Sequence, residues 1–168
     1  MTKAEIRQDY LNKRKQLSPQ EMENKQQGLM KYVALFDLSS YAVVHLFLSI
    51  QKQREPNTQP IMENLFSLGK TVAVSQSDFT TKQMTHWAVS PESFWQTNRY
   101  GIPEPVKGTP VSPSSIDLVF VPLLGYDTKG QRVGYGQGFY DRFLSTCAPD
   151  TVFVGLSYFP PEAEITDC

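Results

Sequence analysis

Four short apolar segments rich in β-branched residues interrupt an otherwise polar chain: AVVHLFL at 42–48, TVAV at 71–74, IDLVFVP at 116–122 and TVFVGLS at 151–157. The first three lack the alternation of a half-exposed strand, which is the pattern of strands covered on both faces. Between the first two, TQPIMENLFSLGK carries Pro60 where a helix would open and Gly69 where it would close. Strand, helix and strand in that order imply a parallel βαβ unit.

Other segments read as helices. Residues 3–17 bring Ile6, Tyr10 and Leu17 to one side among Lys, Arg, Gln and Glu. At LSPQEM, Ser18 suits an N-cap, Pro19 a first helical residue and Glu21 the far member of a capping box, so a second helix begins there with the stripe Met22, Leu29, Val33 and Phe36. Residues 75–113 hold Pro91, Pro103, Pro105, Pro110 and Pro113 and are read as loops with short edge strands. GFYDRFLSTC, from 138, is helical in pattern, with Phe139 or Tyr140, Phe143 and Leu144 inward. No repeat or separating linker appears, and 168 residues suit one domain, 1–168.

Composition narrows the partners. The chain is 40% hydrophobic and 20% charged, as a globular domain is, and its net charge of −1 offers no basic excess for neutralising nucleic-acid phosphates. The two cysteines, Cys147 and Cys168, form no disulfide framework, which points to a reducing compartment. MTKAEIRQDY lacks the apolar centre of a signal peptide, and no run reaches a membrane span of ~18 residues. A cytoplasmic protein with no membrane partner is expected.

The densest local signal is GQRVGYGQGFYDRF at 130–143, with Gly130, Gly134, Gly136 and Gly138 running into a helical pattern. A glycine-rich turn before a helix presents backbone N–H groups to an anion, the general form of a phosphate site. The spacing GxGxG is neither a Walker loop nor a dinucleotide fingerprint, so a purely structural turn stands as the equal alternative. Arg132 offers a guanidinium fork for phosphate oxygens. Asp141 suits a magnesium ligand or a carboxylate answering the helix dipole. Lys3, Arg7 and Arg14 fall on one helix face, either a solvated stripe or a second charged wall. His45, inside an apolar run, reads as a core residue, and His86 as a polar-loop residue.

The segment DLVFVPLLGYDTKGQRVGYGQGFYDRFL at 117–144 resembles the 5-formyltetrahydrofolate cyclo-ligase family, as do KAEIRQDYLNKRKQLS at the start, REPNTQPI after the first strand and GIPEP at 101–105. The resemblance implies an α/β, three-layer fold with a mostly parallel central sheet flanked by helices. It also implies an enzyme using ATP and Mg2+ to convert 5-formyltetrahydrofolate to 5,10-methenyltetrahydrofolate, through phosphorylation of the formyl oxygen. By position it implies ATP contacts at Lys3, Arg7, Arg132, Gly134, Tyr135, Gly136, Gln137, Gly138, Phe139 and Tyr140. Catalytic roles fall to Arg132, Tyr140 and Lys3, folate contacts to Glu55, Ile50, Tyr135 and Phe139, and a metal ligand to Asp141. A monomer is expected. Phe47, Leu48, Trp87, Leu123 and Tyr126 are candidates for an apolar slot that would take a pterin ring.

The sequence departs from the family pattern at Gln137, Phe139 and Ser75. It also ends at EITDC, where the family usually continues to a further acid, which leaves Glu164 and Asp167 as substitutes and a shortened C-terminus as the expectation. A non-catalytic nucleotide- or folate-binding protein of the same fold is the alternative from another class, and a phosphosugar-binding module a more distant one.

Overall fold

The computed structural model describes residues 1–166. Helix α1 (Lys3–Gln16) and helix α2 (Pro19–Ala34) both open on a complete capping box, Thr2 with Glu5 and Ser18 with Glu21, and Pro19 is the first residue of α2. The chain then enters strand β1 (Val43–His45), helix α3 (Gln59–Ser67) and strand β2 (Thr71–Asp78). β1 and β2 pair in parallel, so the βαβ unit forms as the apolar runs imply.

Residues 75–113 depart from the loop reading. β2 continues to Asp78 and turns into strand β3 (Gln83–Val89), and the two pair antiparallel along their length. Strand β4 (Trp95–Thr97) pairs with strand β5 (Pro103–Pro105), and strand β6 (Thr109–Pro110) borders β3. The expected edge strands are therefore present, but β3 is a full sheet member. Its residues partly alternate between water and the interior, so it carries no apolar run, and of the five prolines in 75–113 three, Pro103, Pro105 and Pro110, lie in the short strands β5 and β6.

Strand β7 (Leu118–Pro122), strand β8 (Gly125–Tyr126), strand β9 (Arg132–Val133), helix α4 (Phe139–Ser145) and strand β10 (Val152–Leu156) complete the chain. The main sheet has the order β10-β7-β1-β2-β3-β6, with β10, β7, β1 and β2 mutually parallel, β3 antiparallel to β2, and β6 antiparallel to β3. β7 shows why three layers result. Leu118 and Phe120 join the core under α2 and α3, whereas Val119 and Val121 join Phe143 and Leu144 of α4 on the other face. A third, smaller core sets Ile6 and Tyr10 of α1 against Leu124, Val133 and Ile165. α1 comes so close that a Cβ on Gly125 would sit 2.8 Å from Ile6 Cγ2, which explains glycine there.

His45 has no exposed surface and behaves as the core residue expected, but His86 lies in β3 rather than in a loop and is itself buried. Nε2 of His45 and Nδ1 of His86 are 3.1 Å apart, and both rings pack on Phe143. His45 Nδ1 has no hydrogen-bond partner among the described residues. The less costly tautomer leaves it as a lone pair, with His45 Nε2–H donating to His86, because an unmade N–H bond is the more expensive orphan.

Burial holds both imidazoles below the ordinary histidine range, His86 down to about 4, and the neighbouring ring adds to the effect on His45. As pH falls from about 6.5, where free histidine titrates, the unfolded chain binds protons that the folded chain refuses, so stability falls with it. Urea unfolding at pH 7 and pH 5 should show this loss, and the double variant His45→Leu/His86→Leu should show a shallower one. Equal slopes in the two proteins would remove the histidine pair as the cause.

Candidate functional site

β1 stands where the sheet changes direction: the chain runs from β1 to β2 on one side, while β7 and β10 extend on the other. Crevices at the carboxyl ends of parallel strands form at such points. A cavity of about 500 Å³ opens there, reached by Phe47 and Leu48 beyond β1, by Ser75 and Ser77 on β2 and by Pro122 at the end of β7.

One wall is the glycine loop. Gly136 has φ of 90°, a backbone conformation that strains any other residue, and its Cα faces the Arg7 guanidinium, which a Cβ there would touch at 3.4 Å. Arg7 Nε donates to the carbonyl of Gly134 at 3.0 Å and holds the loop against α1. Gly138 is the N-cap of α4, at φ 76° and without a side-chain cap bond. α4 has seven residues, so most of the anion-attracting character lies in the loop amides and in the cations Lys3, Arg7 and Arg132 that line the cavity. The stripe expected on α1 therefore divides: Lys3 and Arg7 face the cavity, and Arg14 is buried, not solvated.

Glu55 occupies the opposite wall. The loop that carries it is tied down by Thr58, whose Oγ1 donates to the Phe47 carbonyl at 2.7 Å, and by Arg54, which donates to the Leu17 carbonyl at 2.7 Å. Glu55 is 6% exposed and accepts from the Ile50 N–H at 2.8 Å and from the Tyr135 hydroxyl at 2.9 Å. Burial pushes its carboxyl above the usual range, while those two bonds and the Arg14 charge pull it back. The Tyr140 phenol is pushed up, by burial first and then by the Glu55 charge, with Ser75 acting in the opposite sense. Ser75, one of the departures in the sequence, itself lines the cavity.

The residues that the family resemblance implies for ATP, folate, catalysis and metal all line this one cavity: Lys3, Arg7, Ile50, Glu55, Arg132 and the run from Gly134 through Asp141. The apolar slot is only partly as expected. Phe47 and Leu48 reach the cavity, whereas Trp87, Leu123 and Tyr126 are not in its lining. Phe79 and Tyr100 supply aromatic surface instead, with ring centroids 4.2 Å apart and Phe139 edge-on to Phe79 at 5.1 Å. Tyr100 directly precedes GIPEP, and that was the available signal. Phe79 sits at the tip of the β2–β3 turn, which the loop reading of 75–113 concealed. Lys82 crosses from the same turn to donate to Gln137 Oε1 at 2.6 Å.

Asp141, at the rim, is 82% exposed by its side chain and pairs with Arg132 at 2.8 Å. No cluster of three or more His, Cys, Asp or Glu residues suited to a metal occurs among the described residues. A single rim carboxylate beside a phosphate-like site does match the way Mg2+ is held, by one or two carboxylates together with substrate oxygens. Glu164 pairs with Lys129 and is not among the residues lining the cavity, and Asp167 lies outside the described residues.

Residues 1–157 match the sequence profile of the 5-formyltetrahydrofolate cyclo-ligase family. The protein of that name from Escherichia coli (strain K12) is 34% identical over 136 residues, 79% of this chain and 74% of that protein. The one from Mus musculus is 30% identical over 112 residues, 62% of this chain, and the match spans about half of that relative, 54%. Among solved structures, Aquifex aeolicus 5,10-methenyltetrahydrofolate synthetase aligns with a TM-score of 0.73 at 26% identity, over 99% of this chain and 86% of that one. A 5,10-methenyltetrahydrofolate synthetase from Mycoplasma pneumoniae shares the fold, with a TM-score of 0.71 at 22% identity over 92% of this chain and 84% of that one.

The exposed Arg132–Asp141 pair should contribute little to folding, because surface ion pairs are worth about 0–1 kcal/mol. Asp141→Asn should therefore change the unfolding free energy obtained from urea titration by an amount within that range. A loss of several kcal/mol would make the pair a structural tie.

Proposed function

The chain belongs to the 5-formyltetrahydrofolate cyclo-ligase family, and from this we propose that it converts 5-formyltetrahydrofolate and ATP to 5,10-methenyltetrahydrofolate, ADP and phosphate. The observation that carries the reading is the single cavity, with a cation-lined glycine loop on one wall and a buried carboxylate and aromatic rings on the other. A triphosphate suits the first wall and a flat, polar-edged pterin the second.

In this reading the γ-phosphoryl group passes from ATP to the formyl oxygen on the 5-nitrogen. The 10-nitrogen then attacks the activated carbon and loses its proton, and inorganic phosphate departs with the former formyl oxygen. Such transfer depends on positioning and charge stabilisation more than on covalent help from the protein. Lys3, Arg7 and Arg132 bear on the phosphate oxygens, as do the amides of the Gly134–Gly138 loop. Glu55 receives N–H donors of the pterin edge. Ile50 and Phe139 line the folate wall beside it, and Tyr140 presents its hydroxyl near the reacting centre. Asp141 would hold Mg2+ together with phosphate oxygens, released from or shared with Arg132, and the ion would supply charge neutralisation of the transferring group. We take the protein to be a monomeric, cytoplasmic enzyme of one domain over 1–168, with no nucleic-acid or membrane partner. Its near-zero net charge favours small-molecule ligands over nucleic acid.

The direct test incubates the protein with 5-formyltetrahydrofolate and MgATP and follows the conjugated methenyl product optically. Product should accumulate one for one with ADP, and chelating magnesium should stop it. A folded protein that leaves the formyl substrate unchanged would overturn the reading.

The α1 cations provide a finer check. Replacing Lys3 and Arg7 with Met removes two charge-assisted contacts, each worth about 1.5–3 kcal/mol, so KM for ATP should rise at least about tenfold with KM for folate much less affected. Wild-type ATP kinetics in the double variant would remove α1 from the nucleotide site.

A further inference from the structure

Tyr135 lies between Gly134 and Gly136, inside the loop assigned to the triphosphate, but its side chain leaves that loop for the opposite wall. Its hydroxyl donates to Glu55 Oε1 at 2.9 Å and accepts from Arg14 Nη1 at 2.7 Å. The second oxygen of Glu55 accepts from the Ile50 N–H and keeps acceptor capacity for a further donor. Arg14 is fixed independently, by bonds to the carbonyls of Leu123 at 2.8 Å and Gln53 at 3.1 Å. With Arg14 at 3% and Glu55 at 6% exposure, little water is available to replace any of these partners. One phenol therefore joins the nucleotide wall to the folate wall through a partly buried, directional contact.

We propose that Tyr135 is a positioning residue that couples the two substrates: ordering of the glycine loop around the phosphates of ATP orients the phenol, which orients the Glu55 carboxylate for the folate. The inference rests on the functional reading above. Gly134, Gly136 and Gly138 give the loop wide backbone freedom, so the first ligand to bind bears the cost of ordering it and the second binds to a site already arranged. Such coupling is reciprocal, so folate must tighten ATP by the factor by which ATP tightens folate. Loss of the hydroxyl severs the link and leaves the ring in place beside Arg14.

The experiment measures the dissociation constant of 5-formyltetrahydrofolate by calorimetry, with and without a non-hydrolysable ATP analogue and Mg2+, for the wild type and for Tyr135→Phe. In the wild type the analogue should tighten folate binding at least about fivefold, the lower end of usual coupling. In Tyr135→Phe the ratio should fall close to one. A Tyr135 with only a structural role would weaken both ligands and leave the ratio as it was, and that result overturns the proposal, as does a wild type with no tightening.

A second measurement needs no variant. The analogue alone should slow hydrogen exchange at the amides of residues 50–55, which the functional reading gives to the folate, and unchanged protection there overturns the coupling. A protein that fails the cyclisation assay refutes the functional reading, whereas one that turns over with an unaltered ratio in Tyr135→Phe refutes this inference alone.

Discussion

Arg14 sits where helix α1, the exit of β7, the loop before Glu55 and the glycine loop converge, and its guanidinium bonds to a group on each of the other three. A buried cation is tolerated only when its donors find acceptors, because isolated charge pays a desolvation cost that packing does not offset. The planar fork, always charged and rigid, makes that demand directional. Each acceptor must come from its own element in one arrangement, and that arrangement defines the cavity. Arg54 complements it from the other side, donating to the carbonyls of Arg14, Lys15 and Leu17 at the end of α1. The two arginines thereby bind a polar, weakly amphipathic helix to a sheet it meets through few apolar side chains.

The location of the cavity follows from the sheet. Parallel strands deliver their carboxyl ends to one edge, and the reversal of chain direction at β1 parts the loops that would otherwise fill the gap. The antiparallel β2–β3 turn adds what a purely parallel sheet would not, a projection that carries Phe79 and Lys82 over the crevice. The Lys82–Gln137 bond then bridges this projection to the glycine loop.

Legibility tracked the physical source of each signal. Capping at Ser18–Glu21 and the parallel β1–α3–β2 unit rest on local chemistry and continuous burial, and both were readable from short windows. β3 was not, because a strand with one wet face has polar residues at alternate positions and prolines in its neighbours dilute the pattern further. His86 was misread for the same reason, its burial coming from Phe143 and His45, which are distant in sequence. The site residues came from the glycine-rich motif and the family likeness. The role of Arg14 remained open, since helical spacing gives a face but not what covers it. Tyr135, as a link between walls, could not be inferred from spacing, because its partners lie 80 and 121 residues away.

Those separations bear on the order in which the molecule assembles. α1 bonds to Gly134, Leu123, Tyr135 and Glu162 across 127, 109, 121 and 152 residues of chain. Contacts of that span close only after the intervening chain has lost most of its freedom, so they form late and slow the search. Helix α1 must wait for segments more than a hundred residues downstream before it gains its native partners. Until then the sheet and its two inner helical layers can exist, but the crevice lacks a wall. A nascent or partly folded chain thus has no complete cavity to offer, and ligand binding reports completion of the fold rather than its onset.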